Sequence, residues 1–302
     1  MNGLNTKNHD DDIQIMELLL IIWKKKVLAS SIISLAIIIS VTYALSLPNI
    51  YSSNALLAES NPTESLTSKI SEFSPIASIA GINIPNTSSS KVDEAIARIN
   101  SYDFFIKEFL PYIKYEDLVA AESWNQTTNT ISYKKKLFNS SEMKWLLNKP
   151  SHQEAFEIYN SKLSVSQKDN GFVSITITHV SPNITKQWLN TIIKNINDYM
   201  REIDRIQAKN SIDFLNQTAS KTNINQIKEA ISRLLENQIQ TLMMVESNED
   251  YILKQIISPI APEKKSGPAR TVIVLFGLIL GTFFAILMPI LLHYWSSNKN
   301  SA

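Results

Sequence analysis

The sequence predicts an α+β membrane protein: two transmembrane helices flank an extracytoplasmic α/β base domain that carries a long helical hairpin projection. Three observations lead there. Residues 27–47 and 271–292 form uncharged apolar blocks of 21 and 22 residues, and at 1.5 Å per residue each makes a helix of about 31 to 33 Å, enough to cross a bilayer core. Between them, Asp169-Asn170-Gly171 separates the runs 162–168 and 172–180, in which Val173, Ile175 and Ile177 alternate with polar residues as in a β-hairpin with one buried face. Beyond Pro182 the apolar spacing turns helical over a stretch long enough for two helices.

Each element follows in chain order. Asp10, Asp11 and Asp12 precede the nearly apolar run 13–23, where carboxylates favour a helix start; this run is either a short helix at the inner membrane face or an inward extension of the first span. The first block is too long for the apolar core of a signal peptide and no small-residue cleavage site follows it, so it reads as an uncleaved anchor. Residues 51–59 (YSSNALLAE) read as a strand leaving the membrane. The stretch 71–90, with Pro75, Gly81 and Pro85, reads as loop. Val92, Ala95, Ile96, Ile99, Phe105 and Phe109 predict a helix over 91–109. A polar loop over 123–130 and a short helix over 151–160 precede the hairpin.

After it, Leu189, Ile192, Ile196, Tyr199, Ile203 and Ile206 succeed one another at intervals of 3, 4, 3, 4 and 3, a seam for helix-to-helix or subunit contact. A second apolar set, Ile227 to Leu242, follows a polar stretch. A hairpin turning near 220–225 is expected, since the strand candidate 251–257 must return to the same sheet. One continuous helix over 183–247, about 95 Å long, is the alternative. The Pro-rich segment 259–270 leads to the second span.

Lys24, Lys25 and Lys26 immediately before the first span place both termini in the cytoplasm by the positive-inside rule. The expected layout is therefore a cytoplasmic segment 1–26, a span 27–47, an outer domain 48–270, a span 271–292 and a cytoplasmic tail 293–302. Within the outer domain the base comprises 48–182 and 248–258, the helical projection 183–247 and the linker 259–270. The outer domain has 24 basic and 24 acidic residues in 223, and with so few residues on the inner side the activity is expected in the outer domain, the spans or their assembly.

Composition excludes several functions. With 29 Lys+Arg against 28 Asp+Glu the chain lacks the basic excess of a nucleic-acid binder, and without Cys it has no disulfide or thiolate metal site. The six glycines cannot form a phosphate-binding loop, the four His are scattered, and no hydrolase motif occurs. No catalytic, metal or cofactor residues are therefore expected. Lys134, Lys135 and Lys136 read as a solvated loop, and Trp124, Trp145 and Trp188 as core before sugar-stacking residues. Gly277, Gly281 and Ala285 form a small-residue stripe in the second span that suits close helix packing. Lys24, Lys25, Lys26, Lys264, Lys265 and Arg270 are expected to anchor the membrane interfaces.

Two segments carry a resemblance. DIQIMELLLIIWKKK, the span and LPNIYSSNALL, together with LLENQIQTLMMVESNEDYILKQIISPIAPEKKSGPAR before the second span, resemble the polysaccharide co-polymerases, the Wzz-type chain-length determinants of bacterial inner membranes. The family's D-I-x-L-x-x-L-x-x-x-W start and Pro-rich approach to the membrane are the motifs concerned, over about a third of the chain. A departure is Gly267-Pro268-Ala269, where a basic Pro-Lys-Arg pattern is usual. The resemblance implies a periplasmic domain, a ring-like homo-oligomer and a non-enzymatic role in setting the length of O-antigen or a related lipopolysaccharide glycan. The partners it implies are a separate membrane polymerase and a lipid-linked glycan. The rival readings are an inner-membrane adaptor or export component for capsular or extracellular polysaccharide, and an outer-domain enzyme acting on lipid-linked sugar.

Overall fold

In the computed structural model the described residues are 23–60, 91–247 and 250–299, without the side chains of 290 and 293–299. The expected helix over 13–23, except Trp23, and the expected loop 71–90 lie outside them. The chain divides into two compact units, Met1–Asn49 with Ser266–Ala302, and Ile50–Lys265.

The first helix, α1 (Lys26–Ser46), is apolar around its whole circumference and ends where Leu47 turns extended before Pro48, as the residue before a proline favours. Strand β1 (Tyr51–Glu59) follows. Then come α2 (Lys91–Ile99) and three consecutive short turns: α-helical Tyr102–Phe104, π-helical Phe105–Phe109 and 3₁₀-helical Leu110–Tyr112. The single helix expected over 91–109 is thus broken. Ser101 has extended backbone and its side chain accepts from the Phe104 N–H, so a local cap wins over continued helix. The break lets Phe104, Phe105 and Phe109 all be buried.

After α3 (Tyr115–Val119), strands β2 (Ala121–Asn125) and β3 (Thr130–Tyr133) pair antiparallel, correcting the loop expected over 123–130. Asn125 Oδ1 accepts from the N–H groups of Thr127 and Thr128. Asn129 takes the left-handed backbone, φ 51°, which Asn tolerates in turns. The sequence shows these strands poorly because they are short and most of their residues are exposed, with Trp124, Ile131 and Tyr133 only half-buried. A small pair, β4 (Phe138–Asn139) and β5 (Lys144–Trp145), precedes α4 (His152–Lys162). The latter starts in a capping box: Ser151 accepts from Glu154 N–H and Glu154 accepts from Ser151 N–H.

Strands β6 (Leu163–Gln167) and β7 (Val173–His179) form the expected hairpin, with Gly171 at φ 81° in its turn. Helix α5 (Pro182–Lys221) starts with Pro182 in its first turn, and α6 (Asn225–Ser247) follows after a break at Thr222, whose backbone is extended. The stretch is a helical hairpin and not one continuous helix: Arg205 on α5 pairs with Glu246 on α6 at 2.8 Å. Strand β8 (Leu253–Ile257) then joins a four-stranded sheet of order β6-β7-β1-β8 in which every neighbouring pair is antiparallel.

One sheet face is apolar: Ala55 and Leu57 of β1 and Val173, Ile175 and Ile177 of β7 are buried, and α5 covers them with Trp188, Leu189, Ile192, Ile193 and Ile196. The Phe104, Phe105, Phe109 and Tyr159 rings fill the same core. On the opposite face Asn54 donates across the strands to Ser174 Oγ and Thr176 Oγ1, a polar surface as alternation requires. Helix α7 (Arg270–Lys299), interrupted by Pro289, completes the chain and packs along α1.

Candidate functional site

The α1 and α7 segments Lys26–Ser46 and Arg270–Pro289, with mean hydropathies of 2.2 and 2.6, are long and apolar enough to cross a membrane. Their contact is made by small residues. A Cβ placed on Gly277 would lie 1.6 Å from Ser40 Oγ, and one on Gly281 would lie 2.7 Å from Ala36 Cβ. Ala285 continues this face and is buried. The G-x-x-x-G stripe is therefore met by Ala36 and Ser40 of α1, with Ala44 buried one turn further on, a small-residue spacing in the first span that the sequence reading did not pair with the glycines. It packs within one chain.

Of the expected interface anchors, Lys24 and Lys26 are exposed and Lys25 is half-buried, with Lys26 Nζ 5.6 Å from the Trp23 ring. Lys264 and Lys265 are exposed. Arg270 is different: Nη2 donates to Leu47 O at 3.2 Å and Asn49 Oδ1 at 3.1 Å. It satisfies a carbonyl at the end of α1, where a cation also suits the helix dipole, and so is engaged inside the protein.

The predicted seam splits in two. Leu189, Ile192 and Ile196 have no exposure and lie in the core of their own chain, a correction to the seam as subunit contact at these positions. Sheet burial overrode the heptad reading because the same spacing serves a helix lying on a sheet. Tyr199 is half-buried, edge-on to Phe104 and 5.4 Å from the Arg98 guanidinium. Ile203 is half-buried and Ile206 is 51% exposed. These two, with Gln207, Asn210, Ser211 and Phe214, line an open apolar groove along α5. Phe214, Leu234 and Met243 are also exposed on the hairpin.

Two polar arrangements tie the hairpin to the base. Asn197 accepts from the N–H groups of Ile252 and Leu253 and donates to Leu253 O, each at 2.9 Å, fixing the entry to β8. Buried Asp204 accepts from Lys91 and, at 2.7 Å, from the Tyr251 hydroxyl. Burial and this carboxylate push the Tyr251 phenol up.

A third arrangement surrounds His179 and Asp117. Ser181 N–H donates to His179 Nδ1, so the opposite nitrogen, Nε2, carries the proton and donates to Asp117 O at 2.8 Å. Desolvation lowers the imidazole to about 4, and it stays neutral under the Trp188 ring. Burial raises the Asp117 carboxyl, against the hydrogen bond that it accepts from Tyr133 at 2.6 Å. Trp188 is core, while Trp124 stands edge-on to Tyr51 and Trp145 to Tyr115. Lys134, Lys135 and Lys136 are exposed. No three His, Asp or Glu side chains gather as metal ligands among the described residues.

Comparison with known proteins finds one family model that is similar to part of the chain. Residues 11–99 match the model of the chain length determinant protein family, Wzz. Among solved structures, a full-length bacterial polysaccharide co-polymerase is 10% identical with a TM-score of 0.41, covering 93% of this chain and 98% of that one. A fragment of WzzB, a polysaccharide co-polymerase from Salmonella Typhimurium, is 12% identical with a TM-score of 0.30, covering 72% of this chain and all of that one. No curated protein sequence matches.

Proposed function

We propose, for a chain whose residues 11–99 match the Wzz chain length determinant family, that it is a non-enzymatic regulator of polysaccharide chain length. It spans the bacterial inner membrane twice, with both termini in the cytoplasm and the sheet and hairpin in the periplasm. It acts on O-antigen or a related lipopolysaccharide glycan made by a separate membrane polymerase. The match over residues 11–99 is the observation that carries this reading.

The geometry supports it in one respect. Beyond Met200 only Asp204 and Ala208 of α5 are buried, and α6 buries only Ile231 and Val245, while Ile206, Phe214, Leu234 and Met243 stay exposed. Two helices alone do not enclose their apolar stripes, and further copies of the same hairpin would cover them. A ring-like homo-oligomer built through these faces would present a repeated surface to the polymerase and its product.

The test is a gel profile of surface polysaccharide lengths in a strain lacking this protein, beside the complemented strain. Loss of the preferred length with total polymer retained is the expected result. Polymer held inside the cell would point instead to an export component, and an unchanged profile would remove chain-length control.

A further inference from the structure

We propose that a polar groove on the domain formed by residues 50–265 binds a short stretch of the growing polysaccharide. This inference rests on the chain-length reading and names the ligand that the protein would hold. The groove has two adjoining hollows. The first, of about 760 Å³, is lined by Tyr112, Lys114, Asp117, Asn129, Tyr133 and Gln187 among others. The second, of about 490 Å³, runs on along α5 past Lys186, Asn190 and Lys194 and shares Tyr112, Asn183 and Gln187 with the first.

The lining has the chemistry of carbohydrate recognition. Tyr112 is 57% exposed at the junction of the hollows, so the apolar face of a pyranose ring can stack on its ring while the phenol stays in water. Amides offer donor and acceptor together, which matches a sugar hydroxyl that needs both. Here Asn183, Gln187 and Asn190 stand at spacings of 4 and 3 on one face of α5. Among the described residues, Gln187 and Asn190 make no side-chain hydrogen bond and Lys186 and Lys194 no ion pair, so all four are available to a ligand.

The walls are held by bonds that leave this face free. Asn129, in its left-handed backbone, accepts from Trp124 Nε1 and from Asn183 Nδ2, each at 2.9 Å. That second bond ties the β2–β3 turn to the first turn of α5. Tyr133 is fixed by Asp117. On the other side, Asn195 donates to Glu108 O and holds the helical turns that carry Tyr112. An apolar peptide or acyl chain would leave these amides and cations desolvated without partners, whereas a linear polyhydroxyl chain satisfies them along two successive hollows. Lys114, Lys186 and Lys194 further suit acidic sugars.

The experiment uses the full chain in detergent and oligosaccharides released by mild acid from the surface polysaccharide of the native strain, with chito-oligosaccharide as a second glycan. Binding is read by saturation-transfer NMR and by titration. Binding of the native oligosaccharide in preference to chito-oligosaccharide is expected, weakened tenfold or more by Tyr112→Ala and by Gln187→Ala. Both side chains are exposed, and unchanged circular-dichroism melts would confirm intact folding. No binding by the unaltered chain, equal binding of chito-oligosaccharide, or variants that bind as the parent does would overturn the proposal. The two readings fail separately: a deletion strain with altered polymer lengths but a chain that binds no glycan sinks only the groove, whereas an unchanged length profile sinks chain-length control whatever the chain binds.

Discussion

His179 ends the inward stripe of β7, after Val173, Ile175 and Ile177, at a place where alternation calls for a fourth apolar residue. Its two ring nitrogens are both engaged in the neutral form, and the nearby Lys162 further opposes a proton. The imidazole is lowered from an ordinary 6.5 to about 4 in the folded protein. Between those two values the unfolded chain binds a proton that the folded one does not, so stability is full above about pH 6.5 and is lost as the pH falls towards 4. Denaturant melts across that interval should show a slope approaching 1.4 kcal/mol per pH unit from this residue, and His179→Gln should flatten it. An equal slope in the variant would assign the acid sensitivity elsewhere. Asn197 makes a sharper case for single-residue control, since one side chain serves three backbone groups at the start of β8. Asn197→Leu strands these buried groups at about 1 to 3 kcal/mol each, and a thermal melt should fall by several degrees, whereas Asn190→Leu on the exposed side of the same helix should leave it nearly unchanged. Neither role was legible in the sequence, because a lone His or Asn reveals its partner only when strands distant in the chain are brought together.

At the scale of elements, legibility followed burial. The spans, β1, the β6–β7 hairpin and the helical hairpin were all visible, since each carries an apolar pattern with the period of its own geometry. Strands β2 and β3 were not, because their side chains are mostly exposed and their identity depends on the Asn125 and Asn129 turn. The long helix expected over 91–109 failed for a related reason: its apolar spacing was real, but Ser101 capped a new turn and the aromatic rings were buried in a different way. Gly277 and Gly281 illustrate a pattern read correctly without its partner, which is Ser40 and Ala36 of α1. Gly281→Leu should therefore push α1 and α7 apart and lower the stability of the single chain by roughly 1 to 3 kcal/mol, the usual cost of overpacking. Gly267→Leu, where an added Cβ meets nothing within 4 Å, is the control. Melts in detergent that fall for Gly281→Leu alone would establish the intrachain contact, and melts that agree for the two variants would show that the close approach does not limit stability.

For the whole molecule, the unequal burial along α5 separates what one chain needs from what the proposed assembly would need. Leu189, Ile192 and Ile196 complete the base core, so Ile196→Asp places a charge in that core and should abolish folding, which says nothing about assembly. Ile206, half exposed at the edge of the apolar groove, tests assembly itself. Ile206→Asp should leave the chain folded, because water already reaches this position, yet should shift mass photometry of the detergent-solubilised protein from oligomer towards monomer. A stronger form removes the distal hairpin, replacing residues 209–240 by a short Gly-Ser turn. The base keeps its sheet, the Asn197 clamp, the Lys91–Asp204–Tyr251 cluster and the Arg205–Glu246 pair, so it should still melt cooperatively. If the exposed faces of the hairpin drive assembly, the shortened chain will be monomeric and will fail to restore a preferred polymer length in a deletion strain. A shortened chain that still forms the full oligomer would move the subunit contact into the base or the spans, and the apolar stripe beyond Met200 would then have to serve a different partner.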